Sequence, residues 1–407
     1  MNAAGRPWLR IFTPFAVGYF LSYLLRNANA VISPDLTQQL SFSPADLGLL
    51  TAAYLLAFGL FQLPLGILLD HYGPRRVEAA LLLFCAAGCA LFAIGDSLLQ
   101  LTLARALIGL GVSACLMASF KAFSMWFAPQ RQASLNASIM AVGGLGALAA
   151  SSPLGALLPL LGWRGVFAAL SVLTLLTAAL ILSTPEKPQQ AAFGGWRRQL
   201  TGLAAVFSHR AFWRFAPQAS LVTGGFMAMQ GLWAAPWMMT VDGFGRQQAG
   251  NVLLLMAAAQ IGGFLFIAFF VNRLERAGLP PQRLLMLGVA CGLLASAALV
   301  FSAAPAWLLW PVLGLVFSVG NLAYAVLGAA FPLTLAGRVN TALNLGVFIG
   351  AFGVQWLFGV MVEMFTAFGF AGVAAWRASF AIFWLLQAAA WLWFVMAGGR
   401  ERAKMIS

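Results

Sequence analysis

Three basic side chains, Arg26, Arg105 and Lys121, stand inside stretches of the chain that are otherwise almost wholly apolar. A guanidinium in hydrocarbon costs at least ~2.5 kcal/mol on insertion scales, so something must offset that cost. No acidic residue sits in the middle of an apolar run: Asp35, Asp46, Asp96 and Asp242 fall at run ends, and Glu363 lies toward the end of another. For Arg26 this weakens a structural ion pair and makes a negatively charged ligand the first choice. Helical spacing puts Tyr19, Tyr23, Arg26 and Ala30 on one stripe with Ser22 beside it, a polar face suited to a water-filled cavity. Guanidinium groups bind carboxylate or phosphate through paired hydrogen bonds, so small organic anions are the natural ligand class and cationic compounds are repelled.

Arg105 opens the pattern Arg105-Ala106-Leu107-Ile108-Gly109-Leu110-Gly111. Its glycines let a helix approach a neighbour closely, and a buried Arg needs an anion, a carbonyl or water beside it; a structural and a ligand-binding role both stay open. Lys121 lies roughly 160° round an unbent helix from Arg105, so the two do not share a face. It either snorkels to the interface or lines the inner vestibule. Tyr54 in the second apolar run joins the set. Farther along, Gln230, Trp233 and Trp237 recur at i, i+3 and i+7, where Gly231 and Pro236 permit bending, and Asn321 and Tyr324 form an i, i+3 pair. Gln260, Asn344 and Gln355 are isolated polar candidates. The candidate ligand-binding residues are therefore Arg26, Tyr19, Tyr23, Tyr54, Arg105, Lys121, Gln230, Trp233, Asn321 and Tyr324. No catalytic centre, metal site or cofactor is expected. His71 and His209 stand apart in polar segments, and no G-x-x-x-x-G-K-[ST] phosphate loop occurs. Cys85, Cys89, Cys115 and Cys291 all fall in apolar runs and read as packing residues.

The elements that hold these residues must cross a membrane. Of 407 residues 62% are hydrophobic and 8% charged, and the mean hydropathy of +0.90 excludes a water-soluble globule. At roughly 20 residues per crossing, the length allows about twelve helices. Suitable runs lie near 11–35, 45–69, 77–95, 98–125, 133–160 and 165–183, then 213–240, 247–272, 283–303, 305–333, 340–366 and 376–398. The long polar stretch 184–212 divides the chain into an N-terminal six-helix bundle (1–183), a cytoplasmic linker (184–212) and a C-terminal six-helix bundle (213–407).

A formal net charge of +13 on a soluble protein would point to nucleic acid. Here it reads as the cytoplasmic bias of Lys and Arg: with the N-terminus inside, 17 basic residues fall in inner segments and Arg164, Arg246 and Arg377 in outer loops. The expectation is a monomer, multi-pass in the cell's cytoplasmic (inner) membrane, with both termini cytoplasmic and no nucleic-acid partner. Cleavage after Ala28-Asn29-Ala30 would leave eleven helices and reverse the later loops.

The halves echo each other. Arg131, Leu135-Asn136, a Gly-rich span and Trp163-Arg164-Gly165-Val166-Phe167 are matched by Arg338, Leu343-Asn344, another Gly-rich span and Trp376-Arg377-Ala378-Ser379-Phe380. Such duplication implies an all-α fold of two pseudo-symmetric six-helix bundles that rock against each other around a midplane site.

Between the second and third spans the chain reads Gly66-Ile67-Leu68-Leu69-Asp70-His71-Tyr72-Gly73-Pro74-Arg75-Arg76. This resembles the G-x-x-x-D-x-x-G-x-R-R signature of the major facilitator superfamily at the position where that family carries it. The resemblance implies a gate built from Gly66, Asp70, Gly73, Arg75 and Arg76, with Arg131 as a further partner and Asp70 facing the eleventh helix near Asn340. The matching place in the second half, Asn272, Arg273, Glu275, Arg276 and Gly278, is a degenerate copy.

The stretch Tyr23-Leu24-Leu25-Arg26-Asn27-Ala28-Asn29 through Pro34, with Gly48, Gln62, Pro64, Lys121, Trp126, Phe127, Pro153 and Trp163-Arg164, looks like the anion:cation symporter family of organic-anion carriers. That resemblance implies a secondary or facilitative carrier of a small carboxylate- or phosphate-bearing anion, with Arg26 at the substrate and protons or a counter-anion as coupled species. Many members place Asp before this Arg; here Leu25 stands there, which puts proton symport by that route in question. The alternative is an exporter or flippase of an amphiphile such as a siderophore, lysolipid or lipophilic acid, motivated by 34 Phe residues and the Trp233–Trp237 pair.

Overall fold

The computed structural model describes residues 8–128, 132–187, 204–332, 335–370 and 372–406, and no strand occurs among them. A π turn at Trp8–Phe12 leads into α1 (Thr13–Leu40), followed by α2 (Pro44–Tyr72), α3 (Pro74–Ile94) and α4 (Leu98–Trp126). α4 is interrupted by a turn at Ser113 and Ala114. α5 covers 132–161 with a turn at Ala150 and Ser151; Gly162, at φ 65°, then breaks the helix before α6, 163–182. α7 runs over 210–240 and contains π-helical turns at Ala219–Gly224 and Met229–Trp233. α8 (Arg246–Arg276), α9 (Pro281–Val300), α10 (Ala306–Gly328), α11 (Ala336–Ala367) and α12 (Gly372–Ile406) complete the chain.

Ten helices among the described residues are long and apolar enough to cross a membrane. The interrupted helices α5 and α7 complete the set α1–α12 of an all-α membrane fold. Large apolar side chains such as Leu160 (79% exposed), Ile94 (75%) and Phe269 (72%) cover the outer helix surfaces, an arrangement suited to lipid rather than water.

The chain forms two compact units, one of Met1–Phe42 with Ala53–Trp196, the other of Ser43–Ala52 with Arg197–Ser407. In the first unit α3 packs against α6 and the first half of α4, and α1 packs against α5. In the second, α8 and α9 pack against α10, and α11 packs against α7 and α12. The start of α2 is seated in this second unit, where the backbone N–H of Ala45 donates to Glu363 Oε1 at 2.8 Å, giving that outlying acid a helix N-terminus to cap.

Repeated motifs occupy matching places. Gly73 (φ 81°) and Gly278 (φ 87°) take the left-handed conformation in the turns after α2 and α8, with Pro74 and Pro281 starting the next helices. Trp163 is buried, donates to Gln39 Oε1 at 2.8 Å and meets Phe92 edge-on, while Arg164 pairs with Asp96 in the α3–α4 turn. Trp376 is likewise buried against Trp233 and Phe358, and Arg377 donates to Ser302 Oγ at 2.6 Å in the α9–α10 turn.

Candidate functional site

Arg26 lies at the middle of α1, half-buried, with its guanidinium carbon 4.7 Å from the Tyr23 ring centroid and 4.9 Å from that of Phe58 on α2. Cation–π contact with two rings offsets part of the cost of a cation at this depth. The Tyr54 side chain on α2 neighbours the same guanidinium. Tyr19 and Tyr23 meet edge-to-face at 5.1 Å, so these two members of the stripe expected from helical spacing are in contact. Tyr19 itself is buried at 3%, donates to Met140 Sδ at 3.4 Å and rests on Gly143 of α5, where any Cβ would meet its ring.

Arg105 has no exposed surface, and the structure gives it a main-chain partner: its Nη1 donates to the carbonyl of Leu25, next to Arg26, at 2.9 Å. Its guanidinium also stacks 4.7 Å above the Tyr54 ring, whose hydroxyl donates to Ser22 O at 3.3 Å. Tyr54 thus lies between the two arginines, and Arg105 positions the segment of α1 that carries Arg26. The accompanying glycines are needed because backbones touch there. A Cβ on Gly109 would strike the main chain of Tyr54, and one on Gly111 the main chain of Cys85. Lys121 lies beyond the turn at Ser113 and Ala114 and is half-buried.

At the α2–α3 turn Gly66 is exposed and Gly73 forms the bend. Arg76 Nε lies 3.0 Å from Glu186 Oε1 and Arg75 Nη1 3.5 Å from its Oε2, an ion pair with the chain just after α6. Arg131 and the side chain of Asp70 lie outside the described residues.

In the second unit Gln230 sits in the π turn of α7 and its amide donates to Gln260 Oε1 of α8 at 3.2 Å. Such turns widen a helix and redirect side chains, a common device at functional sites. Tyr324 donates to Asn344 Oδ1 at 2.9 Å, linking α10 to α11, and Asn321 is exposed. Trp233 is 1% exposed, donates to the Gln355 carbonyl at 3.0 Å and packs against Phe358 and Trp376. Trp237 is equally buried beside Phe380.

Sequence reasoning passed over Glu78. It follows Arg75 and Arg76 closely enough to read as part of a charged loop, yet it lies one turn inside α3 with no exposed surface. The signal available was its place after the Gly73-Pro74 turn, which starts the helix before the acid.

A family model described as Major Facilitator Superfamily matches residues 15–354, and the chain belongs to that superfamily: it is a membrane transporter rather than an enzyme. It is similar to the Probable L-galactonate transporter of Escherichia coli (strain K12), at 20% identity covering 84% of this chain and 80% of that protein. The Probable sulfoacetate transporter of Cupriavidus necator is 24% identical, covering 85% of each. The Galacturonate transporter of Dickeya chrysanthemi is 32% identical over 41% of this chain and 46% of its own. Among solved structures, a bacterial homolog to the human lysosomal transporter Spinster matches with a TM-score of 0.78 at 17% identity over 97% of both chains, a likeness of fold.

Proposed function

We propose that this transporter carries a small organic anion, bearing a carboxylate or phosphate, across the cytoplasmic membrane by alternating access, as a secondary active or facilitative carrier. The observation that carries the reading is Arg26: a half-buried guanidinium on a membrane-crossing helix, stacked between Tyr23 and Phe58, with Arg105 securing the adjoining carbonyl. Relatives named for galactonate, galacturonate and sulfoacetate support the same ligand class. In the first unit Tyr23 and Tyr54 border the anion; in the second, Gln230, Asn321 and Tyr324 are the candidate substrate contacts. The basic residues concentrated in alternate loops support cytoplasmic termini, with two six-helix halves joined by the 184–212 linker. The turn from Gly66 to Arg76 serves as the cytoplasmic gate, and the carrier works as a monomer.

Uptake of labelled galacturonate, galactonate and sulfoacetate into proteoliposomes tests this reading. Wild-type protein is expected to move at least one of them, and Arg26→Ala to move it slower by about 100-fold or more; Arg26→Lys, which keeps the charge but not the paired donors, is expected to fall between. Uptake by Arg26→Ala at the wild-type rate refutes the role.

A further inference from the structure

Glu78 is a carboxylate with no exposed surface inside a membrane-crossing helix. Neither of its oxygens has a hydrogen-bond partner of good geometry among the described residues. Three neighbouring helices close the niche. From α1 the facing residue is Gly18, and a carboxyl oxygen occupies the space that a Cβ there would fill; Ile181 of α6 borders the same space. From α4 the facing group is the Cys115 thiol, itself beside Cys85 of α3. Arginines of these helices have partners elsewhere: Arg75 and Arg76 pair with Glu186, Arg164 with Asp96, Arg105 donates to Leu25 O, and Arg26 lies over Tyr23 and Phe58. Lys121 lies ~9 Å farther along α4 than Cys115.

A carboxylate enclosed by apolar atoms and a thiol suits this niche as the neutral acid and not as the anion. For mere packing, an apolar side chain would fill the volume without that liability. What the acid adds is a reversible proton. Near it, Phe15, Pro74, Arg75, Ala122 and Thr184 line a small cavity at the end of the bundle that carries the α2–α3 turn. Phe15, Arg75 and Thr184 are each three residues from Gly18, Glu78 and Ile181 respectively, so about one helical turn separates cavity and carboxyl. Gly18 also shares α1 with Arg26, ~12 Å away along the helix. Ionising Glu78 calls for water at the α1–α3 contact or for its opening, and either disturbs the helix that holds Arg26.

Resting on the anion-carrier reading above, we propose that Glu78 is the proton-binding site that couples this transporter to a pH gradient. Its carboxylate takes up one proton to become the neutral acid that fits the closed niche, and returns it when the α1–α3 contact opens. In proteoliposomes, Glu78→Gln is expected to keep exchange of labelled galacturonate, galactonate or sulfoacetate near the wild-type rate and to lose accumulation driven by a pH gradient. Undiminished accumulation by that variant overturns the proposal. A second measurement needs neither a folded variant nor the substrate: dicyclohexylcarbodiimide, which modifies protonated carboxyls in apolar surroundings, followed by peptide mass spectrometry on the wild-type protein. Glu78 is expected to be modified at acid pH and progressively less as the pH rises; no modification at acid pH, or a yield indifferent to pH, overturns the proposal. If the wild-type protein exchanges none of the three anions, the anion reading fails by itself, and the carbodiimide result still decides whether Glu78 binds a proton.

Discussion

Arg26 and Arg105 in the first unit and Gln230 and Tyr324 in the second are polar side chains set well inside their helices, and they are held differently. The arginines rest on aromatic faces and on a main-chain carbonyl. Gln230 and Tyr324 pair with the side-chain amides of Gln260 and Asn344 on neighbouring helices. A guanidinium keeps its charge throughout the physiological range, so the first unit carries a fixed attraction for anions. An amide pair exchanges one neutral partner for another at small cost, so the second unit contributes shape and adjustable hydrogen bonds. The proposed function assigns charge recognition to the N-terminal half and selectivity among anions to the C-terminal half.

The sharpest way to break the comparison is to measure both halves in one uptake assay. Arg26→Ala is expected to lower uptake by about 100-fold or more, the effect of losing paired hydrogen bonds to a charged group. Gln230→Ala is expected to cost less than about tenfold, the effect of losing a neutral bond. Equal losses would show that charge does not dominate recognition. A smaller effect lies in the packing that supports each half. Gly109→Val and Gly111→Val force a side chain between touching backbones and are expected to destabilise by about 1–3 kcal/mol, read as a lower unfolding temperature in detergent. Gly262 on α8 has nothing within 4 Å of where a Cβ would stand, so Gly262→Ala should leave the unfolding temperature unchanged or slightly raised.

The smallest effect concerns Asp242, in the loop after α7. Burial raises its pKa above the ordinary carboxylate value, and the neighbouring Arg377 pulls the other way without cancelling it. A carboxylate raised in the folded state disfavours folding when ionised. Asp242→Asn is therefore expected to raise the unfolding temperature slightly at neutral pH, and the gain should vanish as the pH falls through the carboxylate range. A variant less stable than wild type at neutral pH would show that the pairing with Arg377 outweighs burial.

Much of this architecture was legible along the chain. Apolar runs punctuated by Gly, Pro and charge mark the crossings, because a helix in lipid must satisfy its own backbone and keep its surface apolar whatever it packs against. The stripe of Tyr19, Tyr23 and Arg26 was equally legible, since three side chains on one helix are related by its pitch alone. Arg105 was not: whether a buried guanidinium meets a ligand or a carbonyl depends on a neighbouring helix, and Leu25 is 80 residues away. Trp233 and Trp237 have the spacing of a cavity lining and lie instead in an aromatic core, because packing from α11 and α12 covers them.

By itself, then, the amino-acid order determined the membrane environment, the helices, the internal duplication and the cation at Arg26, all of which follow from local periodicity and composition. Only the tertiary structure decided what each buried polar group faces: a carbonyl for Arg105, aromatic rings for Arg26, a glycine and a thiol for Glu78. The physical reason is that the cost of a buried charge is set by atoms within a few ångströms, and here those atoms come from helices far apart in the chain.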